Sequence, residues 1–230
     1  VGSDIPYAPM EMFDSNNNAI GFDVDIADAI GAKLGVTIKF EKQAFDSLIP
    51  SLQAGKHDLA ISSMSDTTDR QKVLDFVDYF NGGASLIVAA GNPGKVTGLS
   101  ALCGQPVAAE AATWEVDLLN TASADCTKAG KKAIDIQVFP KDTDAANALR
   151  TGKVDAYFGD APVVAYYVKT ATDAFAFGGD AINPIPVGIA IRKGDELKAA
   201  VQAAIDAMYA DGTMKTILGN WEMSTSLMQK

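Results

Sequence analysis

Histidine is nearly absent from this chain, and that absence removes whole classes of chemistry. Among 230 residues there is a single histidine, His57, in a GKHD turn where a surface position is expected. With no second histidine and no CxxC pair, no metal-ligand cluster can be assembled from the usual donors. A Ser-His-Asp set, a GxSxG elbow and a Gly-rich phosphate loop are missing as well. Basic residues are also scarce, 19 against 29 acidic ones, for a net charge of −10. A chain this acidic repels nucleic acid and anionic membrane surfaces, so neither is expected as a partner. No apolar run approaches the roughly 20 residues that a membrane span needs. The sequence opens on VGSDIPYAP, with neither a charged n-region nor an apolar h-region, so any export signal is expected to have been removed.

What is present is an ordinary globular balance, 48% hydrophobic and 21% charged. Strand and helix patterns alternate. Residues 23–34 carry Ile26, Ile30 and Leu34 at helical spacing with Gly35 as a C-cap, and the FDVDIAD carboxylates fall on what reads as its solvated face. VTIKF (36–40) alternates like a half-buried strand. FDSLIPSLQAG (45–55) predicts a helix in which Pro50 is compatible only with the first turn. DLAISSM (58–64), PVAAEA, IDIQVF and VDAYFGD predict strands, with helices near 113–123, 142–151 and 195–212. SLQAGKHDLAI (51–61) and ALRTGKVDAYF (148–158) echo each other as helix end, Gly-Lys-x-Asp turn and strand. The fold class is α/β; the echo is either a generic αβ connection or a repeat, and as a repeat it makes two similar lobes, the first built from 1–90 plus 185–230 and the second from 91–184. GNPGK (91–95) marks the first boundary and NPIPVG (183–188) the return.

Open α/β sheets bind ligands beyond the carboxyl ends of their strands. After one echoed strand comes SSMSDTTDR, bringing Ser62, Ser63, Ser65, Thr67 and Arg70; after the other come Gly159 and Asp160. An arginine fork grips a carboxylate with two parallel hydrogen bonds, and an aspartate pairs with an ammonium group. Together they suit a zwitterion. Two blander readings stay open: Arg70 as a solvated helix residue, and Asp160 as the cap of the helix beginning APVVAYY. Cys103 and Cys126 are either buried thiols or a disulfide, which the loop-entropy argument values at roughly 3 kcal/mol.

Along nearly its whole length the chain resembles the periplasmic amino-acid-binding proteins of ABC uptake systems, of the type II periplasmic-binding fold. The likeness is carried by DIPYAP (4–9), IGFDVDIADAIGAKLG (20–35), the long block from Phe45 through Arg70 to Phe76, VDAYFGDAPVVAYYV (154–168), VGIAIRKG (187–194) and ADGTMKTILGNW. The resemblance implies two α/β lobes joined by two hinge strands, closing on a ligand in the cleft between them. It gives Arg70, Ser65 and backbone near Ser63 the ligand carboxylate, with Thr113 assisting at a helix N-terminus. Asp160 takes the ammonium, and Tyr7 and Phe45 pack the ligand side chain. It also implies a Cys103–Cys126 disulfide, no cofactor, an extracytoplasmic location with or without a lipid anchor, a monomer, and an ABC transporter permease as partner.

Two departures bear on specificity. The usual Gly-Ser/Thr-Thr turn reads Ala112-Thr113-Trp114, which sets a large ring at the mouth of the site. The usual Asp-Pro-Tyr reads Asp78-Tyr79-Phe80. Glu110 and Asp4 match positions that reach the ligand side chain, so with Tyr7, Phe45 and Trp114 they predict an acidic, aromatic-walled pocket for arginine, lysine, ornithine or histidine. The alternatives are a glutamine binder, a cyclohexadienyl dehydratase-like enzyme using Glu110 as its acid, or the sensor lobes of a membrane receptor.

Overall fold

The computed structural model describes residues 1–182, 184–224 and 227–228. The chain forms two compact units, Val1–Gly82 with Ile185–Lys230, and Gly83–Pro184. It changes unit at 82–83 and again at 184–185. The GNPGK stretch is a turn inside the second unit, because Ala84–Ala89 pairs there. In NPIPVG, Asn183 lies outside the described residues.

The first unit contains β1 (Gly2–Ser3), β2 (Met12–Phe13), β3 (Ala19–Ile20), α1 (Phe22–Leu34), β4 (Glu41–Lys42), α2 (Phe45–Gln53), β5 (Leu59–Ala60) and β6 (Leu74–Asn81). The second holds β7 (Ala84–Ala89), β8 (Pro106–Glu110), α3 (Trp114–Lys128), β9 (Asp135–Phe139), α4 (Asp142–Arg150), β10 (Ala156–Asp160), α5 (Ala161–Thr170) and β11 (Phe175–Phe177). The chain then returns to the first with β12 (Pro186–Arg192), α6 (Leu197–Ala210) and α7 (Thr213–Asn220).

The first sheet runs β4-β1-β5-β12-β6, with β1 parallel to both β4 and β5 and with β12 antiparallel to β5 and β6. The second runs β11-β7-β10-β8-β9, with β8, β9 and β10 parallel. The echoed motifs occupy matching places: α2 and its turn feed β5, α4 and its turn feed β10, and each strand joins a parallel neighbour. Period-two alternation splits the second unit's core between the two sheet faces. Leu86, Val88, Val107, Ala109, Ala156 and Phe158 pack with Leu119 and Cys126 of α3. Ile87, Ala108 and Tyr157 pack with Leu149 of α4 and Val164 of α5. Cys103 and Cys126 form a disulfide with a sequence separation of 23 residues, tying the loop before β8 to α3.

Four expectations change. VTIKF is not a strand: Val36 is exposed, and the pairing runs from Glu41 because β1 presents only Gly2 and Ser3 alongside. Pro50 sits in the second turn of α2, where fully buried Leu48 and Leu52 hold the helix against the loss of one backbone hydrogen bond. His57 is buried, its ring packed so tightly on β1 that a Cβ at Gly2 would meet it at 2.6 Å. Asp23, read as solvated, is fully buried.

Candidate functional site

In the first unit, the carboxyl ends of β1, β4 and β5 share one edge of the sheet, since the three strands are parallel neighbours. Asp4 follows β1, Phe45 opens α2 just after β4, and the Ser62–Ser65 segment follows β5. That segment is pinned to β12: Ser65 bridges Val187, Asp66 donates its N–H to Pro186 O at 2.8 Å, and Gly188 donates to Met64 O at 3.0 Å. Arg70 opens a short 3-10 turn, Arg70–Lys72. Its Nη1 donates to the carbonyl of Ser65 at 2.7 Å, and its guanidinium lies 5.4 Å from the centre of the Phe45 ring. The side chain is half-buried. Arg70, Ser65 and Phe45 thus form one constellation, in which backbone and ring hold the fork.

Behind it lies a buried acidic group. Ser63 has φ 46, a left-handed conformation that costs a side-chain-bearing residue about 1–2 kcal/mol. Its N–H donates to Asp23 Oδ2 at 2.7 Å, while Tyr79 donates its hydroxyl to Asp23 Oδ1 at 2.6 Å. The Ser62 hydroxyl donates to Glu11 Oε1 at 2.5 Å and accepts the Asp4 N–H at 2.9 Å. Burial first, and then the charge of Asp23, pushes the Glu11 carboxyl well above the usual carboxylate range. Ser63 Oγ is buried and has no hydrogen-bond partner. Tyr7, nearly buried, is bridged through its backbone to Glu11. Since the Ser63 N–H is engaged by Asp23, Ser63 can offer a ligand only its hydroxyl.

In the second unit, parallel β8, β9 and β10 likewise end on one sheet edge. Asp160, at the end of β10, is 6% exposed. It occupies the N-cap position of α5, yet its side chain makes no cap hydrogen bond, so capping is not what engages this carboxylate. Glu110, at the end of β8, accepts the Asp142 N–H at 3.0 Å and so caps α4 with one oxygen. Asp142 in turn accepts the hydroxyls of Tyr157 and Tyr167. Burial and the Asp142 charge raise both phenols above their ordinary range, which leaves them neutral donors. Thr113, the N-cap of α3, donates its hydroxyl to Glu110 O at 2.8 Å and accepts no N–H from the helix. Trp114, the first residue of α3, packs partly buried against the core of the second unit, and its buried indole N–H has no hydrogen-bond partner. Ala112 takes the left-handed φ of 63 that the usual glycine would adopt freely.

The first unit therefore brings together Asp4, Phe45, Ser63, Ser65 and Arg70 around one strand edge, with Tyr7 close by in sequence. The second gathers Glu110 and Asp160 with Thr113 on another. Sequence reasoning missed Glu11, Asp23 and Asp142. A signal for the last two was present: Asp23 shares the i, i+3, i+4, i+7 stripe with Ile26, Ala27 and Ile30, and Asp142 shares one with Ala145, Ala146 and Leu149.

Comparison with known proteins places the chain by family and fold. The pattern of the bacterial extracellular solute-binding proteins, family 3, matches residues 1–224. The chain is 29% identical over 230 residues to the arginine-binding protein ArgT of Corynebacterium glutamicum, covering 100% of this chain and 75% of that protein. It is 29% identical over 225 residues to the histidine-binding periplasmic protein of Salmonella typhimurium, covering 94% of this chain and 84% of that one. An ancestral arginine-binding protein bound to arginine superposes with a TM-score of 0.89 at 33% identity, over 96% of both chains. The same kind of protein bound to glutamine gives 0.87 at 33% identity, over 96% of this chain and 95% of that one.

Proposed function

Because the chain belongs to the bacterial extracellular solute-binding proteins of family 3, we propose that it captures a cationic α-amino acid outside the cytoplasm and passes it to an ABC importer. One ligand takes both constellations. Arg70, the Ser65 segment and the Ser63 hydroxyl hold its carboxylate; Asp160 holds its ammonium, aided by the N-terminus of α3 at Thr113. The ligand side chain lies against Phe45 and Tyr7, with Asp4 and Glu110 supplying negative charge. Closure on the ligand is a population shift between open and closed states. The chain acts as a monomer and requires no cofactor. The observation that carries the reading is the Arg70 fork, held by Ser65 O and Phe45.

A binding role is favoured over dehydratase chemistry because Arg70 and Asp160, the pair that suits the carboxylate and ammonium of an α-amino acid, are both present. The neutral-ligand reading retains weight from the glutamine complex of the ancestral protein. A thermal-shift screen of the proteinogenic amino acids with ornithine and citrulline tests the proposal, since a ligand that binds only the native state raises Tm by mass action. The largest shift is expected with arginine, lysine, ornithine or histidine. A shift confined to glutamine would remove Asp4 and Glu110 as charge partners, and silence with all of them would overturn the amino-acid reading. Arg70→Ala should abolish the shift while leaving the unliganded Tm within a few degrees; an unchanged shift would sink the carboxylate assignment.

A further inference from the structure

Asp23 is not among the residues assigned to the ligand, yet its carboxylate accepts the backbone N–H of one of them, at the bend from which two of them project. It sits in the first turn of α1, fully buried, and its two oxygens face different elements. Oδ2 takes the Ser63 N–H across a sequence separation of 40, and Oδ1 takes the Tyr79 hydroxyl from β6. Ser63 is the left-handed residue of the segment, so Asp23 holds the start of the bend that turns the chain from β5 toward Ser65 and Arg70, while the contacts of Met64, Ser65 and Asp66 with β12 hold its far side. Glu11 supports the arrangement from the other side by taking the Ser62 hydroxyl. Arg70 then takes its own position from the Ser65 carbonyl, two residues beyond the bend. A chain of contacts therefore runs from Asp23 through Ser63 and Ser65 to the arginine fork.

We propose that Asp23, braced by Tyr79 and Glu11, is the positioning residue for the carboxylate end of the ligand site. It touches no ligand; it sets where the Ser63 hydroxyl, the Ser65 carbonyl and hence the Arg70 guanidinium stand. The inference rests on the carboxylate assignment proposed above and deepens it, because it predicts a loss specific to one end of the ligand. A residue that merely stabilises the unit weakens all ligands alike. A positioning residue for the carboxylate weakens only those ligands that carry one.

The test is calorimetric titration of the wild type and variants with L-arginine and with L-argininamide, which keeps the ammonium and guanidinium but replaces the carboxylate by an amide. Wild type is expected to prefer arginine by about a hundredfold, the scale of a charge-assisted bidentate contact. Asp23→Asn should weaken arginine about tenfold or more, the scale of one hydrogen bond to a charged group, and leave argininamide within about twofold. Where Asp23→Asn does not fold, Tyr79→Phe decides, with a smaller fall in the same preference. Glu11→Ala should also lower the preference, and Glu11→Gln, which still accepts the Ser62 hydroxyl through its amide oxygen, should restore it. Equal weakening of both compounds, or an unchanged preference in folded Asp23→Asn or Tyr79→Phe, overturns the positioning role alone. A wild type without preference for arginine over argininamide overturns the carboxylate assignment and this inference with it.

Discussion

Asp78 lies half-buried on β6, opposite Gly188 of β12, with Asp66 beside it. Burial, then the charge of Asp66 and a shared hydrogen bond with it, raises its carboxyl to about 6. Between the ordinary value of 3.8 and about 6 the native state holds a proton here that the unfolded chain has released. Stability from this group is therefore lost as pH rises through that window, and it is fully lost above it. Asp78→Asn should remove the loss: the variant's stability relative to wild type should climb from pH 4 to pH 6 in denaturant titrations, and a flat difference would show that Asp78 titrates normally. Ala112 is a second local conflict, at φ 63 on an exposed turn. Ala112→Gly should stabilise by about 1 kcal/mol, read as a raised denaturation midpoint at constant slope. The Ser63, Ser65 and Arg70 set was legible because its members lie within one short block after a strand. Asp23 was not, since an acid in an amphipathic helix is ordinarily solvated, and only Ser63 and Tyr79, far along the chain, reveal what its burial serves.

At the scale of elements, the second unit has a covalent clasp that the first lacks among the described residues. The Cys103–Cys126 bridge closes a loop of 23 residues and joins the segment before β8 to α3, whose N-terminus carries Thr113 and Trp114. Replacing both cysteines by serine should cost about 3 kcal/mol, seen as a lower denaturation midpoint, with ligand affinity changed less than stability. No loss would mean that the packing of Leu119 and Leu102 alone fixes α3. The parallel strands and their helices were readable, because β8, β9 and β10 carry apolar residues on both faces and α6 shows Val201, Ile205 and Met208 on one stripe. VTIKF misled for a physical reason: alternation fits a strand only where a neighbour offers a ladder, and β1 offers one at Glu41–Lys42 instead. Pro50 misled likewise, since local propensity yields to the burial of Leu48 and Leu52.

For the molecule as a whole, the proposal makes one ligand answer to two units that each supply half of its charge complement. A zwitterion gripped at only one end gives up the ordering that the other contact provided, so the two ends do not contribute as independent halves. Saturating ligand at about a hundredfold excess over Kd should raise stability by about 2.7 kcal/mol. Arg70→Ala and Asp160→Asn should each remove nearly all of that gain at the same ligand concentration, and the double substitution should remove no more than either alone. Calorimetry of the wild type should give one ligand per chain. Two ligands per chain, or single substitutions that each remove half of the gain, would mean that Arg70 and Asp160 serve separate sites. In that event the carboxylate and ammonium assignments would have to be made anew within each unit.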